Sequence, residues 1–323
     1  MMKIDAVITW VNGNDPLHRI KRTKYCSPLS LMSEDKAGDT RFADCGEIFW
    51  CVASINRFAP WINHIYIVTD EQDPQLYGFL RNNFPGGGIP LSIVDHKVLF
   101  RGYEEYLPTF NSISLESMTW RIPGLSDRFI EFNDDLMLLR PVYPEDFFTS
   151  DGKVICYGSK TSLVWDRFTR LLKRIRRGEI KVTTKGTQIN GARLAGHNFI
   201  YFRMAHSQKA LSRDFYEGYF SSHPSELVRN ITYRFRDVEQ FSPQVLQYML
   251  LYDAGLCELR NPKGELYFFQ PKPKVGYFRR KMEQLRRFKG RFACFNSVDL
   301  ASDDERAELI VWIEQLLDIR FQK

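Results

Sequence analysis

Short apolar runs alternate with stretches of helical periodicity over residues 1–142. Four of these runs have the character of buried strands, because aliphatic and aromatic side chains fill them and polar residues follow each one. They span residues 4–11, 64–68, 91–94 and 129–132. Apolar residues recur at helical spacing between them, over residues 45–58 and 112–120. Strands that alternate with helices are typical of a mostly parallel sheet, so the pattern predicts an α/β, Rossmann-like core.

The pattern changes after Val142. Residues 157–191 are basic and irregular, and Thr183, Thr184 and Gly186 favour a mobile loop there. Helical periodicity then returns over residues 205–220, 242–252 and 303–317. The chain contains no internal repeat. We therefore expect a single domain over residues 1–323, in which residues 192–323 add a helical part to the α/β core.

Composition places the chain among folded proteins. Of its 323 residues, 44% are hydrophobic and 26% are charged, and no apolar run has the length that a membrane-spanning helix needs. Disordered, collagen-like, coiled-coil and transmembrane classes are therefore excluded. The first residues lack the apolar core of a signal peptide, so we expect a cytoplasmic protein.

The six cysteines show no CxxC spacing and no histidine-rich partner segment. This spacing argues against a structural zinc site. Because the sequence shows no export signal, we expect reduced thiols that act as packing residues, while the spacing by itself leaves disulfides open.

Positive charge is concentrated in two segments. The formal net charge is +6, and residues 272–292 carry nine basic side chains and one acid. A second basic segment spans residues 167–181. Both patterns fit either a solvated helix face or contact with an anionic membrane surface, which we expect at Lys272 to Arg291. Nucleic acid is not an expected partner, because no RNA-binding or DNA-binding signature accompanies the charge.

Asn133, Asp134 and Asp135 follow the fourth apolar run. Ligands of parallel sheets bind beyond the carboxyl ends of the strands, where adjacent acids can hold Mg²⁺ or Mn²⁺ or act as a base. Two solvated turn acids would give the same pattern, so both interpretations stay open. The chain has no GxxxxGK[ST], GxGxxG, GxSxG or HExxH motif, which argues against a P-loop, a dinucleotide site, a serine hydrolase and a zinc protease.

Three more residues are weaker candidates by themselves. Glu116 is an acid on an otherwise apolar and small-residue helix, and His206 falls on another predicted helix. Arg236 has the fork geometry that suits phosphate oxygens, in a chain rich in arginine. Each has an equally ordinary structural explanation. The residues alone therefore indicate an α/β enzyme that handles a phosphate.

Four segments together resemble the Stealth family of sugar-phosphate transferases. They span residues 4–15, 41–135, 206–252 and 292–296, in the family's order. This family includes bacterial capsule phosphotransferases and polymerases, and the animal enzyme that adds N-acetylglucosamine-1-phosphate to lysosomal glycans. The resemblance implies a GT-A-like α/β fold. Glu131 departs from the family pattern, which usually has an aromatic residue at this position.

The resemblance also implies the site residues. The family's catalytic residues fall on Glu116, Asp135, His206 and Arg236. We expect the adjacent acids Asp134 and Asp135 to hold Mg²⁺ or Mn²⁺. We expect residues of the matching segments to bind substrate, namely Trp10, Asn12, Asp15, Arg41, Asn111, Arg121 and Asn133. Whether His206 or Asp135 is the base stays open. So does the question whether Glu116 contacts the acceptor, the metal or a proton.

The implied activity is transfer of hexose-1-phosphate or N-acetylhexosamine-1-phosphate from a UDP-sugar or GDP-sugar to a hydroxyl of a glycan or lipid-linked oligosaccharide. Residues 1–142 would bind the nucleotide sugar, and the helical part would complete the active site. The product would be a phosphodiester in a capsular or cell-wall polysaccharide, made at the inner face of the plasma membrane. Two alternatives stay open: a metal-dependent glycosyltransferase that releases a nucleoside diphosphate, and a non-catalytic polyanion-binding protein.

Overall fold

A mostly parallel five-stranded sheet forms the centre of the molecule. The computed structural model describes residues 3–26, 42–163 and 182–321. Its strands are β1 Ile4–Thr9, β2 Ile65–Thr69, β3 Leu91–Asp95, β4 Arg128–Asn133, β5 Leu136–Leu138, β6 Val154–Ser162, β7 Ile200–Met204, β8 Lys209–Ser212, β9 Cys257–Arg260, β10 Leu266–Phe269 and β11 Phe292–Phe295. The central sheet has the order β3-β2-β1-β4-β8, in which only β8 is antiparallel to its neighbour. The predicted α/β class and the four early strands are confirmed.

The helices in the described part of the chain flank this sheet and the later strands. They are α1 Pro16–Tyr25, α2 Glu47–Phe58, α3 Leu76–Asn83, α4 His96–Leu99, α5 Ser112–Glu116, α6 Thr184–Leu194, α7 Arg213–Ser222, α8 Pro224–Ile231, α9 Pro243–Asp253, α10 Tyr277–Arg287 and α11 Asp303–Leu317. Helix α11 has the predicted bounds. Its start is fixed by a capping box, in which Ser302 and Glu305 each accept a hydrogen bond from the other's backbone N–H.

Strands β1 and β4 bring their carboxyl ends to the same level. Thr9 pairs with Asn133 at the end of β4 and with Val68 in β2. The strand interiors are mostly apolar, and Val7 and Ile8 are fully buried in the main hydrophobic cluster, although Asp5 in β1 and Glu131 in β4 are buried as well. Because the sheet interior is covered, polar residues that follow these strands collect at one edge.

The later half of the chain adds strands as well as helices, which corrects the expectation of a helical part over residues 192–323. Strand β6 pairs with β7 and β9, and β10, β11 and β5 form a second three-stranded sheet. Strands β8 to β11 are four residues long. Runs this short carry too little alternation for the sequence pattern to reveal them.

The predicted helix over residues 205–220 is wrong in its first half. Strand β7 ends at Met204, and β8 then pairs with β4, so helix α7 begins only at Arg213. His206 therefore lies in the connection between two strands and not on a helix. Pairing with the open edge of the central sheet overrides the local periodicity here.

The predicted mobile segment over residues 157–191 is also partly wrong. Strand β6 continues to Ser162, and the side chain of Thr183 accepts a hydrogen bond from the Gly186 N–H to begin helix α6. The basic segment at residues 167–181 lies outside the described residues, as does Arg41.

All six cysteines are unpaired thiols, as predicted. Cys51, Cys156, Cys257 and Cys294 are buried, which agrees with a packing role. None of the helices that the structure describes is long and apolar enough to cross a membrane.

Candidate active site

A cleft of about 820 Å³ opens at the carboxyl ends of β1 and β4. This volume lies in the usual range for small-molecule sites. The four residues predicted to be catalytic all line it, and so do four of the predicted binding and metal residues. The first group is Glu116, Asp135, His206 and Arg236, and the second is Trp10, Asn111, Asn133 and Asp134. The fold therefore gathers side chains from distant parts of the sequence at one sheet edge.

The acidic end of the cleft holds three carboxyl groups. Asp134 and Asp135 follow β4, and Glu47 lies in the first turn of α2 with 8% of its surface exposed. Burial raises the pKa of Asp134 well above its ordinary value, and the charges of Asp135 and Glu47 add to the shift. Burial also raises the pKa of Glu47 to about 7. A cation placed among these groups would stabilise their ionised forms.

The pair Asp134 and Asp135 fits a magnesium ion that shares its shell with a substrate. Asp135 accepts a hydrogen bond from the Cys294 thiol at 3.2 Å, while its other oxygen, Oδ1, is buried without a partner. Within residues 3–26, 42–163 and 182–321, no group of three or more His, Cys, Asp or Glu side chains is arranged to hold a metal. Mg²⁺ usually takes one or two protein carboxylates and completes its shell with phosphate and water.

Arg236 is held over the cleft by helix α5. Its Nη2 donates to the Ser112 hydroxyl at 2.6 Å, and its Nε is buried without a partner. Burial lowers the pKa of Arg236, and the nearby carboxylate of Glu116 opposes this shift. The guanidinium is therefore fixed in place with a donor still available to an anionic ligand.

Glu116, the last residue of α5, shares a bridging amide with a second carboxyl group. Gln244 Nε2 donates to Glu116 Oε2 at 2.9 Å and to Glu131 Oε2 at 2.6 Å. Glu131 lies inside β4 and is completely buried. Burial raises the pKa of Glu131, and the charge of Glu116 raises it further. A chain of polar contacts therefore runs from the cleft into the centre of the sheet.

His206 lines the cleft from the connection between β7 and β8. Its ring centroid is 5.6 Å from that of Phe268, which is partly exposed. Burial lowers the pKa of His206, and the positive charge of Lys209, another residue of the cleft, lowers it further. A lowered pKa favours the neutral imidazole, which can accept a proton.

Three predicted substrate-binding residues do not line the cleft. Asp15 caps helix α1, and Asn12 accepts a hydrogen bond from the backbone N–H of Asn14. Arg121 donates to the backbone carbonyls of Leu99 and Arg101. These contacts hold turns and helix ends, and a role of the three residues in binding substrate stays a prediction.

Asn111 both lines the cleft and orients the segment that carries Arg236. Its Nδ2 donates to the Tyr233 carbonyl and to Gln240 Oε1, each at 2.9 Å. The side chain thereby connects α5 to the later half of the chain. A role of Asn111 in binding substrate stays a prediction.

Several residues of the site were not predicted from the sequence. They are Glu47, Lys209, Gln244 and Cys294. Glu47 had one local signal, since it begins a helix whose other residues are mostly apolar. Lys209, Gln244 and Cys294 have no local sequence signal, because pairing between remote segments brings them to the site.

Comparison with known proteins shows which family the early half of the chain matches. Conserved region 1 of the Stealth proteins matches residues 2–25, and conserved region 2 matches residues 41–155. The Stealth resemblance is thereby confirmed, and the chain carries the first two conserved regions of that family.

Named relatives come from several bacteria. The chain is 41% identical to the capsular polysaccharide phosphotransferase LcbA of Neisseria meningitidis over 153 residues, which is 46% of this chain and 39% of that protein. It is 40% identical to the exopolysaccharide phosphotransferase SCO6021 of Streptomyces coelicolor, over 50% of this chain and 28% of the relative. A longer match, 31% identical over 237 residues, covers 72% of this chain and 60% of the capsular polysaccharide phosphotransferase cps1A of Actinobacillus pleuropneumoniae. The chain thus spans less than two thirds of each of these relatives.

Two solved structures resemble the fold at low identity. Galactosyltransferase LgtC, in complex with donor and acceptor sugar analogues, matches with a TM-score of 0.47 and 11% identity over 98% of this chain and 97% of that one. Mouse xyloside xylosyltransferase 1 matches with a TM-score of 0.44 and 11% identity over 91% of this chain and 98% of that one.

Proposed function

We propose that this chain transfers hexose-1-phosphate or N-acetylhexosamine-1-phosphate from a nucleotide sugar to a glycan hydroxyl. One observation carries the proposal: Glu116, Asp135, His206 and Arg236 line a single cleft beside a second acid, Asp134. A diphosphate substrate needs both anion-binding donors and a cation site, and the cleft offers groups suited to each. The names of the relatives, which are capsular and exopolysaccharide phosphotransferases, support the same reaction class.

In the proposed reaction the acceptor hydroxyl attacks the phosphorus that bears the sugar. A new O–P bond forms, the bridging P–O bond of the diphosphate breaks, and a nucleoside monophosphate leaves with the bonding electrons. Arg236 donates to the phosphoryl oxygens, on which negative charge increases. A divalent cation held by Asp134 and Asp135 supplies further neutralisation of the diphosphate when it is bound.

We assign the acceptor proton to His206. Burial and the charge of Lys209 lower the pKa of His206, which favours the neutral form that a general base needs. Asp135 is less suited to this role, because its Oδ2 already accepts a hydrogen bond from the Cys294 thiol and its Oδ1 is left for the cation. Glu116 favours the charged form of Arg236, whose guanidinium is held in place by the Ser112 hydroxyl.

The nucleotide that is released tests the proposal. Purified protein would be incubated with Mg²⁺, acceptor glycans and a panel of UDP-sugars and GDP-sugars, and the products followed by phosphorus NMR. We expect a nucleoside monophosphate together with a new phosphodiester signal. A nucleoside diphosphate would indicate the glycosyltransferase alternative. Absence of turnover across the panel would contradict both and favour the polyanion-binding alternative.

We further propose that the enzyme works at the cytoplasmic surface of an anionic membrane, through the segment from Lys272 to Arg291. Helix α10 in this segment buries an apolar side and exposes most of its basic side chains. Arg291 is paired with Asp146 and Glu265, so part of the charge is neutralised internally. We expect binding to vesicles that contain anionic lipid, weakened at high salt. Binding that does not depend on the salt concentration, or that is equally strong to neutral vesicles, would contradict the proposed membrane contact.

A further inference from the structure

The buried side of the cleft contains an amide whose hydrogen bonds are all used. Gln244 is 1% exposed, and its Nε2 donates one hydrogen to Glu116 and the other to Glu131. Its Oε1 accepts from the Ser242 hydroxyl at 2.8 Å. An amide with both donors and its acceptor occupied has one orientation only, because any rotation breaks a buried hydrogen bond.

Glu131 is the deepest member of this chain of contacts, and stability does not explain it. It is fully buried in the middle of β4, and its Oε1 has no partner. The groups that face it are the carboxyl of Glu116, the ammonium of Lys209 on the paired strand, the Gln244 amide and the phenol of Tyr216. Burying a carboxyl group costs free energy that an apolar side chain of similar size would not.

We propose that Glu131 and Gln244 are positioning residues: Glu131 fixes the Gln244 amide, and the amide fixes the Glu116 carboxylate beside Arg236. This inference rests on the proposed function, because Glu116 is positioned for that reaction. The hydrogen bond from the fixed Gln244 amide to Glu116 Oε2 restricts rotation of the carboxylate, and with it the position of the second oxygen. Burial of Glu131 therefore lowers the stability of the fold but fixes the Glu116 carboxylate at the cleft.

Substitutions of Glu131 separate positioning from structure. Glu131→Leu removes the buried acid and the anchor of Gln244, so we expect turnover to fall about 10-fold to 100-fold, as misplacement of a catalytic group does. Its thermal midpoint at pH 8 should stay at or above that of the wild type. Glu131→Gln keeps an acceptor for the amide and should retain turnover within about three-fold. Turnover of Glu131→Leu within two-fold of wild type would overturn the proposal, and so would a parallel loss of stability and turnover in both variants.

A double-mutant cycle tests whether Gln244 acts through Glu116, including the case in which Glu131→Leu does not fold. If Gln244 acts through Glu116, the substitution Gln244→Leu lowers turnover in the wild-type background and has less than about a two-fold effect in the Glu116→Ala background. Gln247→Leu is the matched control, because Gln247 lies on the same helix, is equally buried and does not contact Glu116. Its effect should be the same in both backgrounds. Independent effects of Gln244→Leu in the two backgrounds would overturn the proposal.

Absence of turnover in the wild-type protein would contradict the proposed function. It would not by itself contradict the positioning proposal, which can be tested separately. In that case the same cycle is measured on thermal midpoints. Coupled shifts for Gln244→Leu and Glu116→Ala support a fixed Glu116, whereas additive shifts overturn it.

Discussion

The titration of Glu47 measures how strongly the surroundings at the acidic end of the cleft oppose ionisation of this carboxyl group. Its pKa is raised from an ordinary 4.5 to about 7 by burial, with Asp44 and Asp135 adding to the shift. A shift of about 2.5 units corresponds to about 3.4 kcal/mol. Because the folded state holds this proton more tightly than the unfolded state, stability is greatest at low pH and is lost as the pH rises from about 4.5 to about 7. About 2.5 kcal/mol of the loss falls between pH 5 and pH 8.

The substitution Glu47→Gln removes this titration. Urea unfolding of both proteins at pH 5 and pH 8 should show that the wild type loses about 2.5 kcal/mol more than the variant over this interval. The control is Glu217→Gln, at an exposed glutamate on α7. It should lose as much unfolding free energy between pH 5 and pH 8 as the wild type does. A difference below 1 kcal/mol, or of opposite sign, would refute the conclusion that burial and the neighbouring acids oppose ionisation of Glu47.

The same assay reports on the cation. A divalent ion near Asp134 and Asp135 would favour the ionised form of Glu47, so saturating Mg²⁺ should reduce the pH-dependent loss in the wild type. Glu47→Gln should respond less. An identical response of both proteins to Mg²⁺ would place the ion elsewhere.

The other predictions concern individual residues of the site. His206→Gln should lower kcat about 10²-fold to 10⁴-fold, and kcat/KM of the wild type should fall as the pH drops below 6.5, because the base must be unprotonated. Unchanged turnover in the variant would remove His206 as the base. Asp135→Asn should raise the Mg²⁺ concentration needed for half-maximal activity at least about 10-fold, and a chelator should abolish wild-type turnover reversibly. Arg121→Ala should cost about 1–3 kcal/mol in urea unfolding and leave the donor KM within two-fold, since its partners are backbone carbonyls.

The early half of the fold was predictable because its signals are local. Strands β1 to β4 are apolar runs of five or six residues with polar residues after them, and helix α2 has a clear apolar stripe. The acids at 134 and 135 follow directly from this pattern. The later strands could not be found in this way, because each is short and is stabilised by pairing with a segment far away in the sequence.

The sequence by itself determined the α/β class, the acidic motif at the end of β4 and, through the Stealth motifs, the identity of the four candidate catalytic residues. Only the tertiary structure decided which side chains share the cleft. It included Glu47, Lys209 and Gln244, and left Asn12, Asp15 and Arg121 outside. The physical reason is that apolar periodicity depends on neighbours a few residues apart, whereas the cleft forms where strands and turns from both halves of the chain meet at one edge of a sheet.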